Sequence, residues 1–493
     1  MGFLAGCNYE DFRRIAQYHF EAVRDMGTIE IIRKFIESNR VLERGVREIS
    51  EMLPLRLRYG ISYGPTFRHW LAFLKESEKW DTDRLEAYQV EQLRDLLIHA
   101  GRNVPYYKRV FREYGFAPEN VQSLDDIKAL PYLDRKTIKE NQKEFVATSV
   151  TEGRLISATT SGTTGIPIIV YGTKETEEKH WATIVDLWSR AGYHPNSRTI
   201  FFEANIREGS KENLPWKKYG NKLVLSSNYF MDEWIDTYIE LINNFKPDFL
   251  IGFPHALATL SSYIKGSGKS ISCGVKCAIV YAENVYDWQR ELIREVFGAR
   301  VLSDYGMVEK VIHGGGCELS DAYHIYPQYG LTEYLFLEDP LYELVGTGFI
   351  NYAMPLIRYR TGDARNKMEK RCEKCGRNYE ILPDLAGRVG DFLVDAEGRI
   401  LSVCLTFDFR VFEKIRRFQL YQERPGKVEV RIQPADSLSS HDRENILGAI
   451  KRSLGLNGGR ILFEVVPEGM ERGVLGKYRM IDQRLDIKAF LIV

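Results

Sequence analysis

The run Thr159-Thr160-Ser161-Gly162-Thr163-Thr164-Gly165 gathers four threonine hydroxyls, one serine hydroxyl and two glycines into seven residues. Glycine lets backbone N–H groups approach an anion, and the hydroxyls add donors. Apolar stretches flank it, Leu155 to Ala158 before and Ile166 to Tyr171 after, so the pattern predicts strand, loop, strand. A Walker P-loop needs a Gly-Lys-Ser/Thr ending that opens a helix, and neither is present. The residues suit a polyphosphate cradle of another build. A polar hairpin turn is the plain alternative.

Four other constellations carry chemistry. Asp304-Tyr305-Gly306 is expected after a strand end, with Glu309 three residues on, where a carboxylate suits a magnesium ion beside phosphates. Thr361-Gly362-Asp363 closes a strand-like run, and an aspartate there can accept both hydroxyls of a ribose or simply turn the chain. Gly387-Arg388-Val389-Gly390-Asp391 reads as a hinge with a nucleotide-binding arginine, or as a linker. Lys477, in Gly476-Lys477-Tyr478-Arg479, can reach a phosphate or carboxylate, or stay solvated.

A separate site is spelled by cysteine. Cys372 and Cys375 form a Cys-x₂-Cys knuckle, and Cys317 and His324 lie upstream, a Cys₃His set for structural zinc. Four protein ligands leave no open position, so the expected role is structural. Unligated reduced thiols are the alternative, and His313, beside three glycines, is a weaker alternative ligand. Cys273 and Cys277 have no nearby partners and are expected in the core.

The elements that must position these residues follow from pattern. Leu85, Tyr88, Leu93, Leu96, Leu97 and Ala100 share one helical face, and Pro105 ends that helix. Strands are expected at Asp248 to Phe253, Cys277 to Tyr281 and Arg300 to Leu302, with helices at Glu233 to Phe245 and Tyr286 to Phe297. That alternation predicts α/β layers. Tyr329 to Leu337 and Gly348 to Tyr359 read as β, and a hairpin turns at Pro425-Gly426. The texture changes near residue 388. The expected domains are a helical extension over 1–80, a nucleotide- and acid-binding domain over 81–387, and a small α+β domain over 388–493.

Composition excludes some classes. The 493 residues balance 68 Lys+Arg against 68 Asp+Glu, which gives no basic excess for nucleic acid. No apolar run reaches about 18 residues, so no transmembrane segment is expected. Leu4-Ala5-Gly6-Cys7 looks like a lipobox but lacks the flanks of a signal peptide. Seven cysteines are no disulfide framework, and a reducing cytoplasmic setting is expected.

Taken together and in order, these pieces resemble the AMP-forming (adenylate-forming) ligase superfamily. The segment LRDLLIHAGRNVPYYKRVFREYGFAPENVQSLDDIKALPYLDRKTIKEN, with GFPHAL at 252–257 and FQLYQ at 418–422, is similar to the branch of phenylacetate–CoA ligase and its relatives in capsular polysaccharide biosynthesis. Some members of that branch carry a structural zinc in the corresponding region. The resemblance implies a large multi-layer adenylation domain with a small, mobile C-terminal domain, and an activity that joins ATP to a carboxylic acid, releases pyrophosphate and transfers the acyl group. Ser161, Gly162, Thr163, Thr164 and Gly165 would wrap the phosphates. Ala282, Glu283, Asp304, Tyr305 and Gly306 would lie along the adenine. Glu309 would bind Mg²⁺, Asp363 and Arg388 the ribose, and Lys477 would bridge the acid and the α-phosphate. Phe201, Phe253, Pro254 and His255 are the expected acid-side residues. Coenzyme A is the acceptor typical of the family, and an amine on a sugar or amino acid is the alternative. A non-catalytic nucleotide-binding scaffold is the alternative of another class. A homodimer is implied by analogy only. Two departures stand out: Ile166 replaces a frequent lysine, and Gly390 replaces the hinge's usual Asp or Lys.

Overall fold

The computed structural model describes residues 64–159, 168–203, 214–226, 234–283, 285, 287–320, 323–338, 341–366, 372–382, 385–388, 392–398, 400–402, 415–434, 438–453, 462–466 and 481–485. Helix α1 (Pro65–Ser77) starts on a proline, whose missing N–H has no intrahelical partner to lose. Helix α2 (Thr82–Asn103) is capped by Asp81, which accepts the Arg84 N–H at 2.8 Å. It buries Leu85, Leu93, Leu96, Leu97 and Ala100, five of the six residues of the expected face. Pro105 ends it and opens α3 (Pro105–Glu113). The short α4 (Arg135–Glu140) is capped by Asp134 through the Thr137 N–H.

Strands β1 (Ile156–Thr159) and β2 (Ile169–Gly172) pair antiparallel, with Thr159 opposite Ile169. The strands around the hydroxyl-rich run are therefore as expected. Residues 160–167, and with them Ser161, Gly162, Thr163, Thr164 and Gly165, lie outside the described residues. Helix α5 (Lys174–Ser189) follows, and then β3 (Thr199–Glu203), β4 (Trp216–Tyr219), β5 (Lys222–Ser226), α6 (Trp234–Phe245), β6 (Phe249–Gly252), α7 (Pro254–Gly266), β7 (Cys277–Tyr281) and α8 (Asp287–Phe297). The chain continues through β8 (Arg300–Gly306), β9 (His313–Gly316), β10 (Tyr323–Ile325), β11 (Gly330–Glu338), β12 (Leu341–Gly348), β13 (Tyr359–Asn366), β14 (Ile381–Leu382) and β15 (Leu385–Arg388).

Nine of these strands make one sheet in the order β14-β10-β9-β8-β7-β6-β3-β5-β4. Its centre, β8 to β5, is parallel. Helices cover it, so its strands are apolar throughout: all four residues of β6 are buried. The parallel strands bring Glu203, Gly252, Tyr281 and Asp304 to one edge, with Tyr281 opposite Asp304. In open α/β sheets that carboxyl edge is where ligands bind. A second, antiparallel sheet has the order β11-β12-β13-β15.

Three expectations need correction. The strand from Arg300 runs past Leu302 to Gly306, because β9 returns antiparallel and pairs with Asp304, Tyr305 and Gly306. Asp363 sits inside β13, not at its end, where the register slips between Glu343 and Val345 and Gly362 takes φ +76°. Leu341 to Gly348 is a strand, whereas 349–358 is not. There the Asn351 side-chain amide donates to the Tyr171 and Met354 carbonyls, replacing ladder bonds.

Beyond residue 388 come β16 (Phe392–Val394), β17 (Ile400–Ser402), β18 (Ile415–Arg424), β19 (Lys427–Pro434), α9 (Ser440–Ser453), β20 (Leu462–Val466) and β21 (Ile481–Gln483). The hairpin of β18 and β19 turns at Gly426, φ +72°, and the sheet order is β20-β19-β18-β21. Lys477 lies outside the described residues. No helix among the described residues is long and apolar enough to cross a membrane.

Candidate active site and metal centre

Strand alternation sends Asp304 and Tyr305 to opposite faces of β8. The Tyr305 hydroxyl donates to Asp363 Oδ2 at 2.8 Å, which joins two constellations 58 residues apart in sequence. The bulge that presents Asp363 is braced locally. The Thr361 hydroxyl donates to the Leu344 carbonyl at 2.8 Å, and the Gly362 N–H to Glu343 Oε1 at 3.1 Å. Arg388 is the cross-strand partner of Asp363 in β15.

Glu309 sits in the turn between β8 and β9, 4% exposed. Its Oε1 accepts from Arg135 Nη2 and from the Tyr359 hydroxyl, both at 2.8 Å, while Arg135 Nε donates to the Tyr359 oxygen at 2.9 Å. The expected magnesium ligand is thus already held by an arginine and a tyrosine. Arg135 and Tyr359 were not picked out from the residues. They lie in the stretches LPYLDRKTIKEN and Gly348 to Tyr359, where neither residue type stands out.

Arg358 fastens these parts together. Its guanidinium pairs with Glu333 at 2.8 Å, donates to the Lys128 and Leu130 carbonyls, and lies 4.1 Å from the Tyr132 ring centroid. Its backbone carbonyl accepts the Leu133 N–H at 2.9 Å. The segment leading to Arg135 is thereby clipped to the start of β13. Four described non-glycine residues take positive φ: Lys246, Ala282, Lys310 and Arg358. Three of them adjoin site positions, Ala282 on the expected adenine side, Lys310 after Glu309, and Arg358 before Tyr359. Such backbone strain persists where surrounding contacts enforce it.

On the other face of β8 the Asp304 carboxylate accepts the Trp188 indole N–H at 2.8 Å. Burial pushes its pKa up to about 7, against that hydrogen bond. The structure therefore separates Asp304 from Tyr305 rather than grouping them along one base. His313 Nε2 lies 3.7 Å from Asp304 Oδ1. Phe253 packs on Tyr281, ring centroids 5.4 Å apart, and Pro254 opens α7. Phe201 faces Lys222, 5.6 Å from its ring, while Phe202 is fully buried. Ala282 and Glu283 directly follow β7. The side chains of His255 and Arg388 lie outside what is described.

The cysteine set converges. Cys317 directly follows β9, His324 is the middle residue of β10, and Cys372 and Cys375 precede β14, which pairs His324 with Ile381. The four ligand atoms lie within 4.8 Å of one another. Cys317 Sγ is 4.0 Å from Cys372 Sγ, and Cys375 Sγ is 3.4 Å from His324 Nε2. A disulfide needs about 2.05 Å. Sulfurs about 3.8 Å apart are what tetrahedral zinc at about 2.3 Å from each would hold.

The surroundings act differently on the sulfurs of the set. The Leu319 N–H donates to Cys317 Sγ at 3.3 Å. Burial opposes ionisation of Cys372, yet the Cys375 N–H, the Ser320 hydroxyl and the Lys374 N–H bring its thiol down to about 7. Burial, with the Cys317 sulfur nearby, pushes Cys375 up to about 11. Burial and then Arg190 lower His324 to about 4, so its imidazole is neutral, the form that ligates metals. His313 belongs to the Asp304 side and not to this cluster, and Cys277 is buried in the core as expected.

No family profile matches the chain. Phenylacetate–coenzyme A ligase of Aromatoleum evansii is 26% identical over 445 residues, 83% of this chain and 97% of that one. The Pseudomonas putida enzyme of the same name is 26% identical over 348 residues, 66% of this chain and 75% of that one. Protein CapK of Staphylococcus aureus is 22% identical over 376 residues, 74% of this chain and 81% of that one. Among solved structures, 2-hydroxyisobutyryl-CoA ligase in its postadenylation state shares the fold, with TM-score 0.63 and 17% identity over 84% of this chain and 93% of that one. In sequence the chain is similar to the phenylacetate–coenzyme A ligases and CapK, and it shares the fold of 2-hydroxyisobutyryl-CoA ligase, which together support the AMP-forming ligase superfamily and its phenylacetate–CoA ligase and CapK branch.

Proposed function

We propose that this protein activates a carboxylic acid with ATP and passes the acyl group to coenzyme A. A carboxylate oxygen attacks the α-phosphorus, the bond to the β-phosphate breaks, and pyrophosphate leaves. The thiolate of coenzyme A then attacks the acyl carbon, and AMP departs. The observation that carries this reading is the Tyr305–Asp363 hydrogen bond, which brings the base and ribose constellations to one place beside Glu309. Relatives named phenylacetate–coenzyme A ligase and a structural neighbour solved with an acyl-adenylate and CoA support it.

In this reading Tyr305, Ala282 and Glu283 take the base, and Asp363 with Arg388 takes the ribose. Ser161 to Gly165 wrap the phosphates, with Thr164 among the donors. Two anions must meet at the α-phosphorus, so the site needs positive charge and fixed donors. Lys477 supplies charge from the small domain, 388–493, which swings between the half-reactions. Glu309 is the hard oxygen donor suited to Mg²⁺, which when bound would neutralise phosphate charge. The zinc set is read as structural, because Cys317, His324, Cys372 and Cys375 offer four ligand atoms within 4.8 Å of one another, which would leave no open position, and would tie strands β9, β10 and β14 to the knuckle. Phe201, Phe253, Pro254 and His255 remain the proposed acid-side residues.

A pyrophosphate-release screen over carboxylic acids tests the reading. Turnover that consumes coenzyme A supports it. Turnover only with amino sugars or amino acids would make the protein an amide-forming ligase, the acceptor chemistry that the CapK likeness keeps open. Silence with ATP still bound would make it a scaffold.

A further inference from the structure

Helices α1 and α2 meet at a corner, residues 78–81, and the stretch that follows Cys375 is laced to it. The Arg377 side chain is 12% exposed, and its Nε donates to Glu78 Oε2 at 3.0 Å, just past the end of α1. Its Nη1 lies 2.7 Å from Oε1 of Glu318, the residue directly after Cys317. The next two residues continue the seam. Asn378 Nδ2 donates to the Trp80 carbonyl at 2.9 Å, and Gln328 Nε2 donates at 2.8 Å to both the Tyr379 and the Ser77 hydroxyls. The Tyr379 ring lies 6.4 Å from that of His324. Arg377 thus stands where three pieces of chain meet: one bearing Cys317, one bearing Cys372 and Cys375, and the corner of α1 and α2. The histidine ligand has no comparable support, since His324 Nδ1 is buried with no hydrogen-bond partner among the described residues.

We infer that Arg377 is a positioning residue for the metal centre: by pairing with Glu318 and Glu78 it sets the two cysteine-bearing segments at ligand distance and joins zinc binding to the packing of the α1–α2 corner. The inference rests on the structural-zinc reading above. Cys317 and Cys372 are 55 residues apart in sequence, so contacts outside the ligand set must hold their segments together before an ion arrives. Thiolates crowded into one site repel one another, and a guanidinium beside them offsets that. Its charge reaches the ligands: burial, then Arg190 and then Arg377 lower His324. The role is specific to arginine, whose planar fork sends separate N–H groups to two carboxylates, whereas a lysine ammonium offers no fixed fork. Removing a group that holds metal ligands from outside typically weakens metal binding by about 10–100-fold.

Zinc affinity of the full-length protein is measured by chelator competition, and thermal melts are run zinc-loaded and chelated. Arg377→Met should weaken zinc binding by about 10–100-fold and shrink the zinc-dependent rise in melting temperature, and Arg377→Lys should recover part of the affinity. A residue that only stabilised the fold would lower both melts equally and leave that rise unchanged, which would overturn the inference. Hydrogen exchange reads the corner. Chelation should speed exchange over residues 77–81 in the wild type, and zinc should no longer alter it in Arg377→Met. Exchange there that ignores chelation in the wild type overturns the coupling to α1 and α2. Should the methionine variant fail to fold, Glu318→Gln decides by the same affinity measurement, with an expected loss on the order of 10-fold. Wild-type affinity in these variants overturns the inference and leaves the zinc site standing. Wild-type protein that binds no zinc overturns the structural-zinc reading and this inference with it.

Discussion

Arg135 Nη2 meets Glu309 Oε1 at 2.8 Å, and Glu309 keeps only 3% of its side chain exposed. Removing one partner of a pair this buried leaves an uncompensated charge. Arg135→Ala should therefore cost about 3 kcal/mol of unfolding free energy, read from urea melts. Tyr359→Phe removes one hydrogen bond to the same oxygen and should cost about 1–2 kcal/mol. A change below about 0.5 kcal/mol in Arg135→Ala would show that Glu309 is hydrated and not buried against Arg135.

The Tyr305 hydroxyl orients the Asp363 carboxylate. Tyr305→Phe should raise the KM for ATP on the order of 10-fold and lower the unfolding free energy by about 1.5–3 kcal/mol, since that is what a hydrogen bond to a charged group contributes. Nucleotide affinity equal to wild type would detach Tyr305 from the ribose side.

Metal analysis of carefully purified protein should find about one zinc per chain. Cys372→Ser should lose the metal and unfold at lower temperature, because structural zinc contributes its binding energy to folding. Less than half an equivalent of zinc would count against the centre.

Asp304 gives a pH signature. In the unfolded chain its carboxyl ionises near 3.8, and in the folded protein burial holds it at about 7. Between those values the folded state keeps a proton that the unfolded state has lost. The Asp304 contribution to stability therefore falls as pH rises from about 4 to about 7 and stays low above that. His313 slopes the other way: burial lowers it from 6.5 to about 3, so its contribution falls as pH drops through that window. Asp304→Asn deletes only the first slope. The stability of the variant relative to wild type should climb between pH 4.5 and 7 in urea melts, and a constant difference would refute the buried ionisation.

Lys477→Ala should abolish adenylate formation while the thermal melt stays near wild type. Adenylation at the wild-type rate in that variant would remove this lysine from the proposed mechanism.

Local chemistry settled much of this protein from sequence alone. The strands around the hydroxyl run, the α2 face and the 425–426 turn follow from periodicity and from what proline and glycine do to a backbone. The Cys-x₂-Cys knuckle, with Cys317 and His324, was legible because cysteines and a histidine at such spacings are rare. Tertiary structure decided the rest. Pairing of β8 with β9 extended the strand through Gly306 and split Asp304 from Tyr305, since adjacent residues of a strand point to opposite faces. The partnership of Arg135 with Glu309 spans 174 residues, and that of Tyr305 with Asp363 spans 58. No local pattern encodes such distances. They arise when buried charges and hydroxyls must find partners wherever the packed sheets place them, because a polar group shut away from water is costly to leave alone.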